Sequence, residues 1–437
     1  MNTKSNQLGK ESKKIYDRAT KVLTGGVSRN TIFRNPHPFY VSTANGSYIT
    51  DVDGCKRIDF ANNMASLIHG HSHPKIIEAV TDQLQKGSAF TMGSELEVKY
   101  AELLNNRTKS FEKIRFMNSG TEAVMTMIKA ARVYTGKHKI AKAEGTYHGT
   151  YDYAEISQTS NPTNWGSIDK PNPVPIVEET PEGVLNDMVI FPYNDIERTL
   201  ELLNQNANEI ACVLIDLVPH RVGLIPASKE YIEAIYKWTR KNNTLLAFDE
   251  VVTYRVNYSG AQENYNIEPD LTALGKIIGG GFPIGALAGK SEIMKVLDPT
   301  EKKLRHPHSG TFSANPISMT AGYTAMSMFD KQSVLDLNKL TKIAIKQVEE
   351  AISLAGISAC VTGDGSMFRV HFNNAKPTTY RESYQEKEVK IIINELLDYL
   401  FLKENIIMIN TCSCMFATTI NQQHVDRLSE ALLNGFR

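Results

Sequence analysis

No stretch of this chain approaches the roughly 20 consecutive apolar residues that a membrane-spanning helix needs. The nearest one, Ile391–Ile409, is interrupted by Glu395, Asp398, Lys403 and Glu404. Net charge is missing too: 48 Lys and Arg stand against 48 Asp and Glu in 437 residues, which gives no electrostatic basis for binding nucleic acid or an anionic membrane. Cysteine is scarce and odd in number: the five residues Cys55, Cys212, Cys360, Cys412 and Cys414 read as reduced thiols of a cytoplasmic protein. Cys412-Ser413-Cys414 has no second Cys/His pair at zinc-binding spacing, so no metal is expected. Repeats and low-complexity tracts are absent as well. Met1 to Lys14 is polar, carries Glu11 and lacks an apolar centre, so it fits neither a secretory signal nor a transit peptide and reads as a frayed end leading into a helix. What remains is a chain long enough for two or three domains, suited to a small neutral or zwitterionic partner.

Three regions differ in their patterning. In residues 1–72, Ser47-Tyr48-Ile49-Thr50 and Arg57-Ile58-Asp59-Phe60 flank Asp53-Gly54, a hairpin signal. Across 73–323, apolar runs alternate with helical patterns, which predicts an α/β fold with a mainly parallel central sheet and helices on both faces. The region 324–437 mixes the strand-like Met367–Phe372 with the helical Lys387–Lys403 and predicts a smaller α+β domain. Four prolines between Pro171 and Pro181 mark a loop.

The middle region carries the chemistry. Ser228 caps a helix with Tyr231, Ile232, Ile235 and Trp238 on its apolar side; Asn242-Asn243 ends it, and the buried strand Leu245–Phe248 follows. Asp249 therefore stands at the carboxyl end of a strand, the edge where ligands bind in open α/β sheets. Downstream, Lys276 sits in Leu274-Gly275-Lys276-Ile277-Ile278-Gly279-Gly280-Gly281. Alone, that lysine reads as a turn residue and the aspartate as a cap. Together they suit pyridoxal 5'-phosphate chemistry: a lysine forms an imine with an aldehyde cofactor, and a carboxylate keeps the cofactor's pyridine nitrogen protonated.

Asn118-Ser119-Gly120-Thr121-Glu122-Ala123 opens a helix whose apolar positions Val124, Met127, Ile128 and Ala131 follow helical spacing and which stops at Gly136. Free backbone N–H groups and the positive dipole end lie at such a start. By itself it reads as an ordinary N-cap. Beside Asp249 and Lys276, a phosphate site becomes the better reading.

Gly70-His71-Ser72-His73-Pro74, the Asn118–Ala123 run, Tyr147-His148-Gly149, Asp249-Glu250-Val251, Leu274-Gly275-Lys276 and Ser309-Gly310-Thr311-Phe312-Ser313-Ala314-Asn315-Pro316 occur in the order found in class III aminotransferases, which are fold-type I pyridoxal-phosphate enzymes. The resemblance runs from about Gly25 to Gly322. It implies that Lys276 holds the cofactor and moves the proton, that Asp249 pairs with the pyridine nitrogen, and that Ser119, Gly120 and Thr121 bind the phosphate. Tyr147 would stack on the ring, His148 would support it, and Val251 would pack on the other face. Thr311 would reach the phosphate held by a second subunit, so a homodimer with shared active sites is implied.

Within the family the chain is similar both to glutamate-1-semialdehyde aminomutase and to β-amino-acid aminotransferases. Gly25-Gly26-Val27-Ser28 and Asp51-Val52-Asp53-Gly54 resemble the aminomutase. Against it, Asp249–Arg255 is one residue shorter than the aminomutase pattern, Glu155–Trp165 lacks a Gly/Ser-rich lid, and Asp216-Leu217 stands where many members have Glu-Pro. The expected reaction moves an amino group between a small amino acid, β-amino acids included, and an oxo acid; the aminomutase reaction is the alternative. A non-catalytic phosphate-binding α/β protein is a remote third reading, because no Gly-x-x-x-x-Gly-Lys-Ser/Thr loop or dinucleotide fingerprint is present. For the substrate carboxylate, arginine's planar fork is the expected partner. Arg34 is the first candidate, then Arg29, with Arg255 a third. Met64, Leu67 and Ile68 are expected to line an apolar side-chain pocket.

Overall fold

The apolar runs of the middle region assemble into one seven-stranded sheet. A computed structural model describes residues 9–437. The strand order across the sheet is Lys113–Met117, Gly285–Gly289, Leu271–Gly275, Leu245–Asp249, Ile210–Ile215, Lys139–Ala143 and Met188–Phe191. Only Gly285–Gly289 runs antiparallel to its neighbours, and the others pair in parallel. The mainly parallel sheet expected from the alternating pattern is therefore present.

Because side chains alternate along a strand, each run feeds two cores. Leu245, Ala247, Cys212 and Leu214 point to the side covered by the helix Gly120–Thr135, which buries Ala123, Val124, Met127, Ile128 and Ala131. Leu246, Phe248, Val213 and Ile215 point to the opposite side, where the helix Lys229–Lys241 buries Tyr231, Ile232, Ile235 and Trp238. Both helices start as the sequence suggests: Ser119 Oγ accepts from Glu122 N and Ser228 Oγ from Tyr231 N, each at 3.1 Å.

The two ends of the chain meet. Val41–Asn45, Tyr48–Asp51 and Lys56–Asp59 form a sheet completed by Ile406–Ile407, and the turn at Asp53-Gly54 is closed by Gly54 N donating to Asp51 O at 3.0 Å. A separate three-stranded sheet comprises Cys360–Asp364, Met367–His371 and Ser413–Met415. After the N-terminal strands the backbone makes a left-handed turn over Asn62, Asn63, Met64 and Ala65, with φ between 45° and 71°. No glycine relieves it, and left-handed non-glycine residues cost roughly 1–2 kcal/mol each. Long-range bonds hold it: Asp59 Oδ1 accepts from Ala61 N and Asn62 N, Asn62 Nδ2 donates to Met415 O, and Arg255 donates to Ala65 O. Among the described residues no helix is long and apolar enough to cross a membrane.

Candidate active site

Asp249 ends its strand and Lys276 follows the next one, with Asp249 in register with Ala273. Both lie at the carboxyl edge of the parallel strands, facing the start of the helix Gly120–Thr135. Between them is a cavity of about 350 Å³ whose wall includes Ser119, Gly120, Thr121, Tyr147, His148, Asp216, Asp249, Val251 and Lys276. Residues up to 157 positions apart in the chain are thus brought to one site, Lys276 and Ser119 being the furthest separated of this set.

The anion-binding end is built from close backbone approach. The helix begins at Gly120, so the Gly120 and Thr121 amides have no acceptor within it. Ser119 Oγ caps Glu122 N and keeps its own proton to donate, while Glu122 reaches back to Asn118 N at 2.7 Å. A Cβ on Gly120 would come within 2.7 Å of Val251 Cγ1, so glycine lets Val251 close the cavity against the helix start. Gly149 has φ +97°, and a Cβ there would lie 2.7 Å from Thr121 Oγ1. At Gly285 a Cβ would fall 1.9 Å from Ser119 O, a backbone atom that cannot step aside.

At the other end, Asp249 Oδ1 accepts from Val251 N at 2.9 Å, and Oδ2 accepts from His148 Nδ1 at 2.7 Å. His148 is buried, its Nε2 faces Thr146 Oγ1 at 3.0 Å, and burial lowers its pKa against the pull of Asp249. Lys276 sits at φ +47°, a left-handed conformation in a non-glycine residue of the kind found where a side chain must be aimed. Desolvation lowers its pKa, while Asp249 and Asp216 favour its charged form. Burial, reinforced by the nearby charge of Asp249, pushes the Asp216 carboxyl well above the ordinary range.

The loop carrying Tyr147 and His148 is held from beneath by Lys142. This buried lysine donates to Thr146 O, Ala154 O and Ile156 O at 2.7–2.9 Å and is lowered to about 7, mainly by desolvation. Tyr147 is 39% exposed over the cavity, with the Arg221 guanidinium carbon 5.0 Å from its ring centroid.

The structure brings Ser119, Gly120, Thr121, Tyr147, His148, Asp249, Val251 and Lys276 to this one cavity. Thr311 is elsewhere, in a second groove with Met92, Phe90 and Asn315, where Met92 is 82% exposed. Arg34, the first candidate for the substrate carboxylate, is committed away from the cavity: it pairs with Asp398 at 2.8 Å, donates to Leu397 O and stacks on Phe401. Arg255 is buried and spent on Ala65 O, Ser366 Oγ and Phe416 O. Arg29 fares differently, since it donates to Asn63 Oδ1 at 2.9 Å and Asn63 lines the cavity. The apolar pocket expected from Met64, Leu67 and Ile68 is not formed. The left-handed turn presents Asn63 and Ser66 instead, Met64 packs into the core and Ile68 is buried.

Asp216 is a cavity residue that the sequence reading noted only as a departure from pattern. The rule that singled out Asp249 would have found it, because it follows the buried strand Ile210–Ile215. Asn63, Ser66 and Lys142 had no comparable local signal.

The family model described as Aminotransferase class-III matches residues 31–434. Glutamate-1-semialdehyde 2,1-aminomutase of Methanothermobacter thermautotrophicus is 34% identical over 432 residues, covering 98% of this chain and 100% of that protein. The crystal structure of an omega-transaminase from Sphaerobacter thermophilus superposes with a TM-score of 0.96 at 40% identity, covering 100% of this chain and 99% of the other. A beta-phenylalanine aminotransferase from Variovorax paradoxus gives a TM-score of 0.88 at 27% identity, covering 99% of this chain and 94% of the other.

Proposed function

The chain belongs to the class-III aminotransferase family of pyridoxal-phosphate enzymes, and from that premise we propose that it moves an amino group between a small amino acid, β-amino acids included, and an oxo acid. The residues present suit the cofactor. A helix start with unpaired amides and a free hydroxyl suits a phosphate. The Asp249 carboxylate, oriented by His148 and Val251, suits a protonated ring nitrogen.

When bound, pyridoxal phosphate supplies an aldehyde carbon for the substrate nitrogen and a ring that accepts electrons. The protein's own groups do the rest. Ser119, Gly120 and Thr121 would hold the cofactor's anion, Tyr147 and Val251 would flank its ring, and Asp249 would keep the ring nitrogen protonated. Lys276 Nζ would attach the cofactor; desolvation favours its neutral form, which would suit it to take up a proton at the substrate carbon and hand it on. Arg29, placed by Asn63, anchors the substrate carboxylate at the N-terminal wall. Thr311, exposed in its separate groove, donates to the phosphate of a second copy of the chain, and the active enzyme is a homodimer.

The observation that carries this reading over the aminomutase reaction is how the segment after Gly149 is tied down. An aminomutase must retain one molecule between two half-steps and needs a lid that opens and closes. Here Tyr380 donates to Ser160 O at 2.5 Å, and Arg381 pairs with Glu144 at 2.8 Å while donating to Trp165 O and Gly166 O. The aminomutase remains the second reading because curated relatives of that name match nearly the whole chain. Purified protein assayed with a panel of α- and β-amino donors against pyruvate and 2-oxoglutarate tests the proposal. Transfer to an added oxo acid supports it, and no transfer in any pair refutes it.

A further inference from the structure

Arginine is buried at four positions among the described residues, and three of them make side-chain hydrogen bonds, although Arg57 Nη2 and Arg107 Nη2 are left without a partner. Arg57 pairs with Asp51, Arg107 donates to the carbonyls of Tyr258, Met326 and Phe329, and Arg255 donates to Ala65, Ser366 and Phe416. Arg369 differs in making no side-chain hydrogen bond at all. It is 6% exposed, its Nε has no hydrogen-bond partner, and no carboxylate is among the groups acting on it.

Its place in the C-terminal sheet fixes where it points. Along Met367–His371 the side chains alternate, and Phe368 and Val370 enter the core built on the C-terminal helices. Met367, on the other face, packs in the cluster that contains Met64, Val222, Leu224 and the cavity residue Val252. His371, also on that face, has Nε2 at 3.0 Å from Gly223 O. Arg369 stands between the two, directed at the seam where this sheet meets the segment 216–224. That segment supplies Asp216 to the cavity wall and Arg221 over Tyr147. Ser413, the register partner of Arg369, bonds Thr411 at 2.9 Å, and Thr411 meets His220 Nε2 at 3.1 Å.

Around His220 the charged groups are cationic, whereas the Asp216 carboxyl of the same segment is pushed well above the ordinary range by burial. Burial and then the charges of Arg369, Arg221 and Lys276 hold His220 neutral, lowered to about 3. A planar guanidinium with open donors in such a field is completed by a two-oxygen anion. We propose that Arg369 anchors a carboxylate of the substrate, reached across the seam from the cavity and on the opposite side from Arg29. This rests on the aminotransferase reading, in which every substrate pair carries a carboxylate.

The test uses the full-length holoenzyme and its best amino donor. Each oxo acid is compared with the aldehyde of matching chain length that lacks the carboxylate, in wild type, Arg369→Met and Arg369→Lys. Arg369→Met is expected to raise KM for the oxo acid roughly 10- to 100-fold with a smaller change in kcat, so that the preference for oxo acid over aldehyde collapses. Arg369→Lys should restore part of that preference. Melting of the Met variant should match or exceed wild type, because an unpaired buried cation has been removed. A Met variant that is unfolded, or that loses acid and aldehyde activity equally, would make Arg369 structural and overturn the proposal, as would an unchanged KM. The two failures separate: a wild type inactive with every pair removes both readings, whereas an active wild type with an indifferent Arg369→Met removes the anchor alone.

Discussion

His148 Nδ1 donates to Asp249 Oδ2 across 2.7 Å, inside a pocket where the imidazole is buried. The bond fixes which way the carboxylate faces, since its other oxygen is held by Val251 N. His148→Ala leaves Asp249 with one donor fewer. A hydrogen bond to a charged group contributes about 1.5–3 kcal/mol, so donor consumption in a single half-reaction should slow roughly 10- to 100-fold. Stopped-flow absorbance with the variant checks this, and a rate near wild type would reduce His148 to packing.

Gly149 and Thr121 are in contact because Gly149 has no side chain. Gly149→Ala combines a positive φ with a Cβ 2.7 Å from Thr121 Oγ1, which should displace the anion-binding helix start. The variant should fold but lose cofactor on dialysis at concentrations where wild type retains it. Equal retention would mean that the Thr121 end of the cavity does not hold the phosphate.

The parts of this site that the sequence made legible are those set by local rules. Ser119 opening a helix and Asp249 closing a buried strand follow from spacing and capping, and the parallel sheet places both at one edge. What escaped depends on partners far along the chain. Arg34 meets Asp398 from 364 positions away, and Glu144 meets Arg381 from 237. The turn Asn62–Ala65 is left-handed without a glycine to announce it, held by contacts to Met415 and Arg255. That turn is why Asn63 and Ser66, not Leu67 and Ile68, face the cavity. Periodicity finds faces and ends of elements; it does not report which long side chain is already engaged.

Arg381 and Glu144 form a pair whose carboxylate is almost wholly buried. Removing one member of such a pair typically costs about 3–5 kcal/mol, so Arg381→Ala should lower the melting temperature and make the 157–167 segment more accessible to protease. The double variant Arg381→Met with Glu144→Gln should recover much of the loss, because no charge is left unpaired. Melting curves and limited proteolysis measure both effects; an unaltered segment in Arg381→Ala would mean that other contacts pin it.

His69 and His371 are buried, and desolvation lowers their pKa values to about 4 and about 3. A histidine whose folded pKa lies below its unfolded value gives stability that is complete above about pH 6.5 and lost as pH falls toward the folded value. Glu250, raised by burial to about 7, acts in the opposite direction between its ordinary value and neutrality. Two histidines outweigh one carboxyl, so these groups together should lower the melting temperature as pH drops from 6.5 to 4.5. A melting temperature that rises over this window would contradict neutral burial of the histidines.

The most direct measurement follows the cofactor's absorbance when purified enzyme is mixed with an amino donor and nothing else. The absorbance should change once, in proportion to enzyme, and stop; adding an oxo acid should restore it and start turnover with ping-pong kinetics, because the nitrogen leaves on one molecule and returns on another. Sustained conversion of glutamate semialdehyde to 5-aminolevulinate with no acceptor present would contradict transfer between two substrates and establish the aminomutase reaction instead.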